Sequence, residues 1–127
     1  MRVFKNAWFA RFARKENISD ASLWEAAARL ARGQIDAKLG GEVFKQRIGR
    51  RGQGKSSGYR TIVLFRRGQF ALFVYGFAKN CRDNICDAEL AQFRKMAGAV
   101  LNLNNHQIGA LISNGQFEEV NHDDQAI

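Results

Sequence analysis

Between Val43 and Arg82 the chain has no Asp or Glu at all, although the same stretch carries ten Lys or Arg residues (45, 47, 50, 51, 55, 60, 66, 67, 79 and 82). That absence removes the carboxylate ligands a zinc or magnesium nuclease centre would need, so neither metal nor cofactor is expected there. Histidine is nearly absent too: His106 and His122 both lie in the acidic C-terminal part and read as surface residues, which leaves the basic stretch without a histidine for proton transfer. The two cysteines, Cys81 and Cys86, have no further pair and no ligand spacing, which excludes a disulfide framework and a zinc site and implies free thiols. No apolar run approaches the ~20 residues of a membrane span. Lys5, Arg11, Arg14 and Lys15 interrupt the N-terminus where a signal peptide would be apolar, so a cytoplasmic location is expected. Proline, internal repeats, low-complexity tracts and linkers are all missing, and 127 residues read as one domain, 1–127, with a short tail from 116.

What is present is charge and ordinary globular composition. Twenty Lys and Arg against twelve Asp and Glu give a formal charge of +8, with 46% hydrophobic residues. The charge is one-sided, since seven acidic residues against Arg94 and Lys95 make up the part from Asp83 onward. A polyanion is the natural partner of the Val43–Arg82 stretch.

Periodicity predicts an α+β chain. Met1 to Lys5 alternates like a short edge strand. Asn6 can cap a helix over Ala7 to Lys15, with Trp8, Phe9 and Phe12 on one face. Ser19 and Asp20 start a second helix carrying Leu23, Ala27 and Leu30, in which Ser22 and Glu25 have capping-box spacing and Gly33 supplies the stop. These two helices form a hairpin that covers one face of a sheet. Val43 to Ile48 has period two, which puts Phe44 and Ile48 in the core and Lys45 and Arg47 on the opposite face. Tyr59 to Phe65, a turn at 66–69, and Phe70 to Phe77 read as a hairpin of central strands. Helices follow over Asp87 to Leu103 and from Asn104 or Asn105 to Asn114.

Within the basic stretch the loop Gly52 to Gly58 is rich in glycine and serine around Lys55, which suits close approach to phosphate. It runs straight into Tyr59-Arg60. Arg60 is the leading phosphate ligand, because a guanidinium offers a planar fork of donors and keeps its charge, and no carboxylate lies near it in sequence. Lys79 and Arg82 follow a strand end and join Arg60 and Lys55 as the expected catalytic cations, while Lys45, Arg47, Arg50 and Arg51 extend the patch as RNA-binding residues; each alone could be a solvated surface charge. Tyr59 and Tyr75 could stack on bases or donate a phenolic proton, although Tyr75 lies in a run that reads as core.

The strings KSSGYRTIVLF (55–65), YGFAKNCRDNI (75–85) and the opening MRVFKNAWFARFARKENIS resemble the RelE/ParE superfamily of bacterial toxins, in particular its HigB-like branch. The resemblance implies a small RelE-like fold, with an N-terminal helical hairpin on a mainly antiparallel, twisted sheet and C-terminal helices. It also implies a metal-independent endoribonuclease that cuts messenger RNA, generally on the ribosome. Such chemistry needs a base for the ribose 2′-hydroxyl, cations for the phosphate and an acid for the leaving 5′-oxygen. By position, the arginine after Gly-Tyr is Arg60, the basic residue before Ser-Ser-Gly is Lys55, and an earlier basic position is Arg51. Asn80 stands where the RelE pattern has a second arginine, and Cys86 near where it has a late tyrosine. Implied partners are messenger RNA, the ribosome and an antitoxin of helix-turn-helix type, through which alone operator DNA would be bound. ParE-type relatives instead inhibit DNA gyrase without catalysis, and a plain RNA-binding module is a third possibility.

Overall fold

The computed structural model describes residues 1–49, 58–79, 82 and 84–121. Its elements are β1 (Arg2–Asn6), α1 (Ala7–Glu16), α2 (Asp20–Ala31), β2 (Ala37–Gly40), β3 (Val43–Ile48), β4 (Tyr59–Phe65), β5 (Phe70–Ala78), α3 (Asp87–Val100), α4 (Asn105–Ser113) and β6 (Phe117–Glu119). The strands form one sheet in the order β2-β3-β4-β5-β1-β6, with only the β1–β5 pair parallel. The fold is therefore α+β with a mostly antiparallel sheet, as expected. No helix among the described residues is long and apolar enough to cross a membrane.

The helical hairpin forms for the reasons legible in its caps. The Asn6 side chain accepts a hydrogen bond from the Phe9 amide at 2.8 Å, and Asn17 ends α1 in the left-handed region at φ 57°. In α2 the cap is Ser19, whose hydroxyl accepts from the Ser22 amide at 3.1 Å. The expected Ser22–Glu25 box does not form, and Glu25 instead pairs with Arg29 one turn later. β1 is not an edge strand either, because β6 pairs along its outer side from Phe4↔Glu119 to Asn6↔Phe117.

The central strand β4 is buried along its whole length and divides two cores. Tyr59, Val63 and Phe65 pack toward α1 and α2 with Phe9, Leu23 and Leu30. Ile62 and Leu64 pack the other way, with Phe4, Leu72, Ala97 and Leu101 beneath α3 and α4. The alternation is that of a sheet covered on both faces. Close contact between α1 and the sheet depends on Gly76, where an added Cβ would lie 2.6 Å from the Phe12 ring.

One irregularity decides what the sheet presents. In the β4–β5 ladder Ile62 pairs with Tyr75 but Val63 pairs with Phe73, so Val74 is an extra residue in β5. A bulge of this kind reverses the alternation beyond it. Tyr75 and Phe77 consequently lie opposite Ile62 and Arg60, on the α3 side of the sheet.

Candidate nucleic-acid interface

Strands β3, β4 and the end of β5 put several cations on one face. Odd-numbered residues of β3 share the side of Val43, which packs beneath α3, so Lys45 and Arg47 lie on that face with Arg60 of β4. Arg47 and Arg60 are directly cross-strand, and Phe77 is the other neighbour of Arg60. Cross-strand partners stand about 4.5–5.5 Å apart at Cβ, and like charges so placed oppose folding. No carboxylate among the described residues pairs with either arginine through its side chain.

Arg60 is the unusual member. Its relative exposure is only 8%, yet its Nη1 has no hydrogen-bond partner among the described residues. A buried guanidinium lacking an acceptor is costly, and a phosphate oxygen would supply one.

Beyond the Ala37 end of β2 the strand carrying Arg47 is tied to Asp36 and Arg29. The Arg47 amide donates to Asp36 Oδ2 at 2.6 Å, its carbonyl accepts from Arg29 Nη2 at 2.7 Å, and Arg29 Nη1 lies 3.5 Å from Asp36. This clamp occupies both free backbone groups at the sheet edge and leaves the Arg47 side chain exposed.

Arg82 closes the face at its other side. Its guanidinium is bonded to the Glu89 carboxylate of α3, donates to the Tyr75 hydroxyl at 2.9 Å and to the Asn84 carbonyl at 2.7 Å, and lies 5.7 Å from the Phe77 ring centre. Lys45 reaches the Asn84 side chain at 3.4 Å. Lys79 is exposed beside the end of β4, with its amide donating to the Gly58 carbonyl at 3.3 Å.

Of the residues singled out from the sequence, the fold thus gathers Lys45, Arg47, Arg60, Tyr75 and Arg82, with Lys79 at the margin. Tyr59 is placed on the opposite face, buried against Phe12 with its hydroxyl 2.9 Å from the Glu16 carboxylate. Tyr75 is half-buried with its oxygen at Arg82, rather than enclosed in the core. Arg50, Arg51, Lys55, Asn80 and Cys81 lie outside the described residues, as does His122. His106 is exposed on α4, away from this face.

Two participants escaped the sequence reading, Glu89 and Asn84. The acidic C-terminal part is not wholly remote from the basic face, because α3 brings Glu89 onto Arg82. Glu89 is also the cap of α3, accepting from the Cys86 amide at 2.8 Å; its spacing from Cys86 was the available signal, obscured by a cysteine at the capping position. The Arg82 hydrogen bond, helped by the Cys86 amide, lowers the Glu89 carboxyl from near 4.5 to about 2. Since the folded value is depressed, the stabilisation is present above about pH 4.5 and is lost as pH falls toward 2. Acid unfolding followed by circular dichroism should therefore show a smaller loss of stability across that window for Glu89→Gln than for the unaltered protein. An identical acid profile would mean that the bridge contributes nothing to folding.

The face is open. A cavity of about 770 Å³ lies elsewhere, between the α1–α2 turn and Tyr59. Among the described residues no cluster of His, Cys, Asp and Glu could hold a metal ion.

Residues 1–120 match the family described as the RelE toxin of the RelE / RelB toxin-antitoxin system. The match covers nearly the whole chain, including all three strands of the cationic face, and the chain belongs to this family. It is a toxin of a toxin-antitoxin system, whose partner is an antitoxin. No curated protein and no solved structure matches the chain.

Proposed function

We propose that the toxin is a metal-independent endoribonuclease that cuts messenger RNA presented by the ribosome, and that the Arg47–Arg60 face holds the scissile phosphate. The observation that carries this reading is Arg60, a cation 8% exposed with an unpartnered Nη1, cross-strand from a second arginine and in no ion pair among the described residues. Cations aimed at a phosphate stabilise the charge that grows as the 2′-oxygen attacks phosphorus. Arg60 and Arg47 take the phosphate oxygens, Lys45, Lys79 and Arg82 hold neighbouring phosphates, and Lys55, Arg50 and Arg51 add charge from the segment between β3 and β4. The 2′-hydroxyl loses its proton to water as its oxygen attacks phosphorus, and the attack forms a 2′,3′-cyclic phosphate and expels the 5′-oxygen, which needs a proton. In this reading Tyr75 gives it: Arg82 donates to the phenolic oxygen, which leaves the phenolic O–H as a donor toward the leaving group. This phenol fills the role that Cys86, near the expected late tyrosine, cannot. Tyr59 takes no part in this reading, its hydroxyl being committed to Glu16 on the other face.

The cationic face suits an extended strand positioned by the ribosome. It also suits an antitoxin of helix-turn-helix type that silences the toxin by laying acidic groups across the same cations.

Binding of an unstructured RNA oligomer as a function of salt tests the reading. For single strands the logarithmic slope is about −0.7 per phosphate neutralised. Arg47→Gln and Lys45→Gln should each reduce its magnitude by about 0.7. Slopes unchanged by both substitutions would show that RNA does not use this face.

A further inference from the structure

Helix α1 carries Trp8, Arg11, Phe12 and Lys15 at spacings of three and four, which places them along one side. Phe12 packs on the core, close against the backbone of Gly76. Trp8 is left 38% exposed, one of two large apolar side chains so exposed among the described residues. Its ring stacks on Phe12 at 5.3 Å and 16° and meets Tyr75 at 4.6 Å. Arg11 and Lys15 are exposed and form no ion pair among the described residues, whereas Arg14, on another side of the helix, pairs with Glu118.

The indole is continuous with the cationic face. Tyr75 touches Trp8 with its ring and Arg82 with its hydroxyl, Arg82 covers Phe77, and Phe77 is the cross-strand neighbour of Arg60. An exposed indole braced by two other rings and flanked by free cations is the combination that single-stranded nucleic acid uses, because every base has a flat face to stack and a phosphate to neutralise. An antitoxin segment can match the cations with acidic side chains and the ring with apolar ones; what favours RNA is that the indole is continuous with the Arg60 face.

We propose that Trp8 is a stacking subsite for an unpaired base of the RNA strand whose phosphate is held at Arg60, with Arg11 and Lys15 taking phosphates beyond that base. This rests on the reading of the Arg60 face as an RNA site and extends it onto α1, by three residues that no strand of that face contains. It also gives Tyr75 a second duty: the ring supports the stacking platform while the hydroxyl serves the cleavage site.

The test uses purified full-length protein, an oligoadenylate of about 12 nucleotides, within the usual site size of single-strand binders, and an abasic strand of the same length. Trp8→Ala should weaken oligoadenylate binding by about 5- to 150-fold, and Trp8→Phe should recover most of the loss. The abasic strand should bind the unaltered protein and Trp8→Ala equally. In a Trp24→Phe background, oligoadenylate should quench the remaining tryptophan fluorescence. Equal oligoadenylate affinity with and without the indole overturns the subsite, as does an equal loss for the abasic strand, which would report a damaged backbone. Weakened antitoxin capture with unaltered RNA affinity overturns it as well and assigns Trp8 to the antitoxin. Arg60→Met measured in parallel separates the two levels. Loss there with no effect at Trp8 removes only the stacking subsite, whereas an unaltered protein that binds no RNA removes both.

Discussion

Arg60→Met should lower the rate of RNA cleavage by about 10²- to 10³-fold, the usual loss when one donor to a developing oxyanion is removed. The same substitution should leave the melting temperature unchanged or raise it. Both halves follow from one feature. Arg60 is buried with an unpartnered donor and lies directly opposite Arg47, so in folding terms it is a liability. Replacing a buried, poorly compensated charge by an apolar side chain of similar length is often neutral or stabilising. A residue kept for structure would behave in the opposite way, with stability and activity falling together. Single-turnover cleavage and a thermal melt on the same preparation distinguish the cases. Full activity would remove Arg60 from the site, and a large fall in melting temperature would show that the guanidinium holds the fold.

Tyr75→Phe should reduce the cleavage rate by about 10²- to 10⁴-fold, the range for loss of a positioned proton donor. RNA affinity should stay close to that of the unaltered protein. The ring is retained, so the contacts with Trp8 and Phe93 persist, and only the hydroxyl at Arg82 disappears. The loss therefore belongs in the chemical step and not in binding. A substrate with sulfur in place of the 5′-oxygen separates proton donation from other roles, because a thiolate leaves without being protonated. On that substrate Tyr75→Phe should cleave about as fast as the unaltered protein. An equal deficit on both substrates would mean that the phenol positions Arg82 and gives no proton.

Much of the architecture was legible from alternation and capping. β3 and β4 have the predicted limits, Asn6 and Ser19 cap the helices placed after them, and the period-two pattern put Lys45 and Arg47 on the face opposite Phe44 and Ile48. What escaped was short or long-range. β2 contains Lys38 and Gly40 and β6 is Phe-Glu-Glu, so neither carries an alternation long enough to register, yet β6 turns β1 from an edge into an interior strand. The position of Tyr75 depends on the bulge at Val74. Strict alternation from Phe73 would put that tyrosine under α1, and nothing in the local composition marks the extra residue. Glu89 was hidden for a different reason: its partner Arg82 lies before α3 begins, and only the docking of α3 on the sheet brings them together.

Induction of the toxin in cells lacking the antitoxin, followed by mapping of RNA 5′ ends, tests the central claim most directly. New ends inside translated regions should accompany growth arrest with the unaltered protein and be absent with Arg60→Met at equal protein level. Growth arrest with an unchanged set of RNA ends and inhibited DNA gyrase would contradict the ribonuclease reading and place the poison at gyrase.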